Sequence, residues 1–168
     1  MTTQTSQIDP ELQEFLQDED RVFRFVARFA GHLARNGAVG RALNLLSTLS
    51  NLHPNDGYLF TARGFLHMRQ GEIEEAIPLL RRGIELDPDD VAGHASLGEC
   101  LIETGELDDA LDHFEEAVEL GDLETDKFAR RARSFIPVVE HLRDQVDERG
   151  DEALDEMRAR LAQLRSLG

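Results

Sequence analysis

A 34-residue period constrains the fold of this chain more than any other sequence feature. Three sets of residues recur at this spacing: Gly37, Gly71 and Gly105; Ala42, Ala76 and Ala110; and Leu46, Leu80 and Phe114. Each glycine follows a helix-length segment with apolar residues spaced by three and four, and a second such segment begins soon after it. Because glycine tolerates the left-handed backbone that ends a helix, each unit is predicted to be a helix hairpin.

The recurring residues resemble the tetratricopeptide repeat, whose pattern is W-x2-L-G-x2-Y, then A-x3-F, then P. The third unit matches best, with His94, Leu97, Gly98, Leu101, Ala110 and Phe114 at those positions and Asp122 in place of proline. The second unit departs from the pattern at Arg63 and His67. The resemblance implies an all-α fold, a right-handed superhelical stack of three hairpins with the first helix of each on the inner wall.

The flanks of the repeats are predicted to be helical as well. We expect the repeats to occupy 23–56, 57–90 and 91–124. A disordered tail is expected at 1–8, and a capping helix at 9–22 that starts at Asp9. Residues 125–168 are expected to form one or two capping helices that do not continue the repeat register. A kink is expected near Pro137, because proline removes a backbone donor.

Negative charge is concentrated in one part of the chain. Between Gly83 and Asp126 there is no Lys or Arg, and the 16 Asp and Glu residues there account for the whole formal net charge of -16. Because binding to a phosphate backbone needs clustered cations, this distribution argues against a nucleic-acid partner. The acidic surface either attracts a basic partner or only solubilises the chain, and both interpretations stay open.

The sequence contains no recognisable catalytic or targeting motif. It has no HExxH, and its only lysine, Lys127, is not part of a phosphate-binding loop. The six histidines are scattered and are assigned packing or solvent roles, while the single Cys100 has no zinc-site neighbours. The start lacks the features of a secretory leader, and no apolar stretch is long enough to span a membrane. We therefore expect a cytoplasmic protein that is not an enzyme and binds no metal or cofactor.

A second stripe on the first helices lies beside the core stripe and would face the inner wall. Its large apolar side chains, Tyr58, Phe65 and Met68, belong to the second repeat and are flanked by small residues in the neighbouring repeats. This pattern predicts a groove for an extended apolar peptide segment. The predicted groove comprises Ala27, Gly31, Tyr58, Thr61, Phe65, Met68, Ala95, Glu99 and Ile102. The alternative is that terminal helices fold over these residues and bury them.

Within the repeat family, the architecture resembles the class II chaperones of type III secretion. That resemblance implies a chaperone for a secreted translocator, with an apolar segment of the translocator as partner. A further apolar stripe near the C-terminus either caps the stack or pairs with a second copy: Leu154, Met157, Leu161 and Leu164. The alternative function is therefore a structural protein that acts through homodimerisation, or a generic adaptor scaffold.

Overall fold

The computed structural model describes residues 11, 14 and 17–166, without the side chains of residues 20, 151 and 160–166. This part of the chain contains eight consecutive helices and no strand, which confirms the all-α prediction. The helices are α1 Glu19–Arg35, α2 Val39–Leu52, α3 Gly57–Gln70, α4 Ile73–Leu86, α5 Val91–Thr104, α6 Leu107–Leu120, α7 Lys127–Arg149 and α8 Asp151–Ser166.

The helices pack as consecutive hairpins in two compact units that divide after Pro54. The first unit contains α1 packed against α2. In the second unit, α3 packs against α4 and α5 against α6. Helix α5 also contacts both helices of the preceding hairpin, so the second unit has one continuous core.

Glycines end the first helices of the repeats, as predicted. Gly71 follows α3 with φ 79°, and Gly105 follows α5 with φ 90°. At Gly71 the amide donates to the carbonyl of Met68, and the next amide donates to His67, which satisfies carbonyls that the helix leaves open. This local geometry reverses the chain within two residues, so that the second helix can pack against the first.

Small residues let the paired helices approach more closely than a side chain would allow. A Cβ atom on Gly98 would lie 2.7 Å from Phe114 Cε1, and one on Gly64 would lie 2.7 Å from Leu80 Cγ. Both distances are shorter than any relaxed carbon–carbon contact. In the second and third repeats, the first helix therefore presents a flat backbone surface that the large side chain of the second helix covers.

Helix α7 continues the repeat register, contrary to the expectation for residues 125–168. Phe128, Ala132 and Phe135 lie 34 residues after His94, Gly98 and Leu101. Ala132 is fully buried, and the Phe135 ring stacks on Phe114 with centroids 5.3 Å apart. Helix α7 contacts both α5 and α6, just as α5 contacts α3 and α4. It therefore occupies the position of the first helix of a fourth repeat.

Pro137 does not break this helix. Helix α7 runs without interruption for 23 residues from Lys127 to Arg149, with Pro137 inside it. Helices α2 to α6 each have 14 residues, so α7 extends well beyond the repeat length. The extension leads into α8, which packs against α7.

The N-terminal boundary also differs from the expected one. Helix α1 begins at Glu19, because the carboxylate of Asp18 accepts a hydrogen bond from the Arg21 amide at 2.9 Å and caps the helix. Residues 19–22 therefore belong to the first helix of the first hairpin. The predicted tail at 1–8 lies outside the described residues, as does most of the predicted capping helix before Gln17.

Two histidines join the helices of the third hairpin. His94 Nε2 lies 3.1 Å from the Pro88 carbonyl, to which it donates, and His94 Nδ1 lies 3.0 Å from His113 Nδ1. With Nε2 as the donor, His94 Nδ1 accepts from the His113 ring, so the pair is satisfied when both rings are neutral. Burial lowers the pKa of His113, which favours that neutral state.

One hydroxyl in the α3–α4 interface has no hydrogen-bond partner. Thr61 is 5% exposed, and its Oγ1 is directed at the backbone of Gly83, where a Cβ atom would overlap it. The equivalent positions in the first and third repeats are Ala27 and Ala95, both buried. The threonine therefore buries a polar group that alanine at this position would not.

We predict that Gly98→Ala lowers the free energy of unfolding by about 1–3 kcal/mol, because the new methyl group overlaps the Phe114 ring. Gly40→Ala is the matched control. Gly40 lies in helix α2 with nothing within 4 Å of its ideal Cβ, so this change is expected to be neutral or to stabilise by up to about 1 kcal/mol. Urea denaturation followed by circular dichroism measures both. Equal effects of the two changes would contradict the close-approach argument.

We predict that Thr61→Ala raises the free energy of unfolding by about 1 kcal/mol, since it removes a buried hydroxyl without a partner. Ser50→Ala serves as control. The Ser50 hydroxyl is as buried but donates to the Leu46 carbonyl at 2.8 Å, so its removal should bring no gain. Chemical denaturation of wild type and the two variants measures these differences. A destabilised Thr61→Ala protein would show that the hydroxyl has a hydrogen-bond partner in solution.

Candidate functional site

The predicted groove residues do not form one exposed stripe. In the second unit, Tyr58 is 54% exposed, whereas four others are buried in the core: Thr61, Met68, Ala95 and Ile102. Phe65 and Glu99 are partly buried. In the first unit, Ala27 is buried and Gly31 is partly buried on α1. The stripe therefore contributes more to packing than the sequence indicated.

Helix α7 covers the part of this stripe that belongs to α3 and α5. The ring of Phe128 meets Phe65 edge to face, with centroids 6.0 Å apart. One turn further along α7, Arg131 Nη2 donates to Glu99 Oε2 at 2.5 Å. The repeat register of α7 explains both contacts, because it places this helix beside α5. The alternative that a terminal helix covers predicted groove residues is thus what the structure shows at Phe65 and Glu99.

A cleft of about 280 Å³ remains between α5, α7 and α8, and we call it the α5–α7–α8 cleft. Two of the predicted groove residues, Glu99 and Ile102, lie in its wall. A third lining residue, Met157, belongs to the C-terminal apolar stripe predicted from the sequence. The rest of the lining comes from residues that the sequence did not indicate: Glu103, Phe135, Val138, Val139, His141, Leu142, Gln145, Ala153 and Glu156. Apolar side chains form most of the wall, and Val138 is 58% exposed.

Helix α8 closes one side of the cleft because it is attached to the end of α5. Leu154 is buried, and its Cδ1 lies 3.1 Å from the Cβ position of Gly105. Arg158 donates to the carbonyls of Glu103 and Thr104 at 3.0 and 2.9 Å. A guanidinium at the C-terminal end of a helix satisfies open carbonyls and complements the helix dipole. These contacts fix α8 across α5.

The C-terminal apolar stripe is used at least partly within the chain. Leu154 packs against α5, and Met157 lines the cleft and is partly buried. The side chains of Leu161 and Leu164, also predicted for a capping or dimer face, lie outside the described residues. Leu154 and Met157 thus have contacts within the chain itself.

Glu99 is the most perturbed ionisable group in this site. Its side chain is 13% exposed, and burial raises the pKa of the carboxyl from 4.5 to about 7. Arg131 opposes this shift by its charge and hydrogen bond, and Glu103 adds to it by repulsion. Burial prevails because Arg131 is 48% exposed, so water screens much of its charge. The cleft wall thus contains a carboxyl group that titrates near neutral pH.

Other kinds of site find no support within the described residues. No group of three or more His, Cys, Asp and Glu side chains in that part of the chain is arranged to hold a metal ion. None of the helices described is both long and apolar enough to cross a membrane.

The missed site residues had one usable signal in the sequence. The 34-residue spacing of Phe128, Ala132 and Phe135 to the third repeat places the start of α7 beside α5. The residues beyond Phe135 follow no repeat position. Their place in the cleft depends on the length of α7 and on the attachment of α8, which the repeat pattern does not contain.

We predict that Glu99→Gln removes a component of the pH dependence of stability. A carboxyl whose folded-state pKa is raised stabilises the fold below the unfolded-state pKa, and this contribution is lost as pH rises from 4.5 to about 7. The loss amounts to up to about 3 kcal/mol. Relative to wild type, Glu99→Gln should therefore gain stability between pH 5 and pH 8, as chemical denaturation at several pH values would measure.

The control for this prediction is Glu115→Gln, at an exposed position of α6 outside the cleft. This substitution changes the net charge by the same amount, but the free energy of unfolding of the variant should run parallel to that of wild type across the same pH range. A stability difference between wild type and Glu99→Gln that stays constant with pH would show that Glu99 is ionised normally.

Comparisons with known proteins show which family and which solved structures this chain resembles. Residues 61–124 match a family model described as tetratricopeptide repeat. SycD, a type III secretion translocator chaperone of Yersinia enterocolitica, is 19% identical, with a TM-score of 0.69 over 82% of this chain and 97% of SycD. PcrH of Pseudomonas aeruginosa, solved with the chaperone binding region of PopD, is 20% identical, with a TM-score of 0.66 over 73% of this chain and 94% of PcrH.

An O-GlcNAc transferase mutant from Thermobaculum terrenum is 25% identical, with a TM-score of 0.66 over 74% of this chain but 23% of the transferase chain. No curated protein sequence matches the chain. At these identities the solved structures establish the fold, and the family match identifies the repeat. Residues 61–124 thus match the tetratricopeptide repeat, and the fold of the chain resembles that of SycD and PcrH.

Proposed function

We propose that this protein binds an apolar peptide segment of another protein in the α5–α7–α8 cleft and acts as a non-enzymatic chaperone for that segment. The observation that carries the proposal is the cleft wall, where Ile102, Val139 and Leu142 meet the exposed Val138 and the partly buried Met157. Concave, mostly apolar surfaces with a few polar groups are typical of binding sites.

The kind of partner is suggested by the structural relatives. SycD is a translocator chaperone, and PcrH was solved with the chaperone binding region of PopD. Both are matched over more than nine tenths of their length, so the resemblance extends beyond the repeats alone. We therefore propose a translocator of type III secretion as the partner, with binding in the cytoplasm before export.

The proposed site retains only part of the groove predicted from the sequence. Glu99 and Ile102 line the cleft, whereas Phe65 contacts Phe128 and Met68 is buried in the core. Substitutions at Phe65 or Met68 would test folding more than binding. The exposed residue Val138 and the partly buried Met157 are better positions for a test, because neither is itself one of the buried core residues.

We predict that Val138→Gln combined with Met157→Gln weakens peptide binding roughly tenfold or more, because both changes remove apolar wall from the cleft. The ligand is chosen by selecting a phage-displayed library of random dodecapeptides on the full-length protein. The best peptide is then synthesised with a fluorescent label, and its Kd is measured by anisotropy.

The matched control is Leu52→Gln. Leu52 is 69% exposed, belongs to the first unit and does not line the cleft, so this apolar-to-glutamine change should leave Kd unchanged. Circular dichroism verifies that all variants fold. If no peptide is enriched, or if the cleft variant and the control bind the selected peptide equally well, the proposed function is wrong.

A further inference from the structure

The lining of the α5–α7–α8 cleft is charged as well as apolar. It contains three glutamates, Glu99, Glu103 and Glu156, one histidine, His141, and no Lys or Arg. The glutamates come from two walls, since Glu99 and Glu103 belong to α5 and Glu156 to α8. A ligand that enters this cleft therefore meets carboxylates from two of the helices that surround its apolar floor.

The two glutamates of α5 act on each other. They are four residues apart, so their side chains lie on the same face of the helix. The negative charge of Glu103 contributes to the raised pKa of Glu99, which shows that the repulsion is felt despite the nearby Arg131. A cation placed between the two carboxylates would relieve this repulsion.

The arginines near the cleft bind its carboxylates from outside the lining. Arg131 donates to Glu99, and Arg149 makes two hydrogen bonds to Glu156 at 3.0 and 3.2 Å. Both guanidinium groups are partly exposed, with 48% and 36% of the side chain accessible. The exposed Arg149–Glu156 bonds can therefore be exchanged for bonds to a ligand at small cost, because exposed ion pairs contribute little. Arg131 binds only Oε2 of the largely buried Glu99, so Oε1 can accept a hydrogen bond from a ligand without displacing Arg131.

The size of the cleft favours side chains of a larger partner over a whole small ligand. Its volume of about 280 Å³ is slightly below the ~300–1,000 Å³ of sites that enclose drug-sized molecules. Val138 and Met157, which are exposed and partly exposed, offer apolar contacts for one or two side chains. The acidic residues on α5 lie within reach of the next residue of the same segment.

We propose that the cleft selects apolar protein segments that carry a lysine or arginine, whose cationic group binds Glu99 and Glu103 while the flanking apolar side chains fill the floor. The inference rests on the proposed function and specifies its partner. Acidic segments are rejected, because a carboxylate in this cleft would face three glutamates.

The test uses the peptides selected from the random dodecapeptide library on the full-length protein. Lys and Arg are expected about threefold or more above their frequency in the unselected library, with Asp and Glu depleted. The best peptide is then compared with a version in which its basic residue is replaced by glutamine. For the basic peptide, Glu103→Gln should raise Kd about fivefold, and for the glutamine peptide it should change Kd little.

Glu115→Gln is the charge-matched control, and it should leave both Kd values unchanged, since Glu115 is exposed on α6 outside the cleft. The inference is overturned, with the proposed function intact, if peptide binding depends on Val138 and Met157 but shows no preference for basic residues. Both are overturned if no selected peptide depends on those two residues. A dimer in sedimentation that Val138→Gln with Met157→Gln dissociates would show that a second copy occupies the cleft, and would also overturn the inference.

Discussion

The close approach of helices at small residues is the constraint on which the second unit depends. Gly98 presents bare backbone to Phe114, and Phe114 in turn stacks on Phe135 of α7. One aromatic ring thus connects the third hairpin to the helix that follows it. A larger residue at Gly98 would displace this ring and, with it, α7. The cleft between α5, α7 and α8 is therefore a consequence of a packing contact in the repeat itself.

The cleft also contains groups that do not favour folding. Glu99 is buried enough for its pKa to rise to about 7, although Arg131 is hydrogen-bonded to it. Ionising a buried carboxyl opposes stability at neutral pH. A buried carboxyl group has a physical reason at a binding surface. There, a carboxylate that is poorly solvated in the free protein is stabilised by a cationic ligand. The same reasoning does not apply to Thr61, whose buried hydroxyl lies against the Gly83 backbone.

Much of the fold could be predicted from the sequence, because the repeat is a local pattern. Gly71 and Gly105 end their helices, and buried Leu80 and Phe114 cover glycine positions as the period implies. The repeat register of helix α7 was missed because its repeat positions end at Phe135, with no helix-ending glycine after them. The groove prediction was less accurate, since a stripe beside the core is exposed only if nothing packs on it. Helix α7 packs on that stripe at Phe65 and Glu99.

By itself, the sequence determined the helix hairpins, because a glycine stop and a period of three and four residues act within a few turns of helix. It also determined the acidic character of the third repeat. Only the tertiary structure decided which acidic and apolar side chains share a cleft. Glu103 and Met157 are 54 residues apart and meet because Arg158 and Leu154 attach α8 to the end of α5. Contacts between residues so far apart in the sequence depend on the length and direction of α7, and no periodic pattern encodes them.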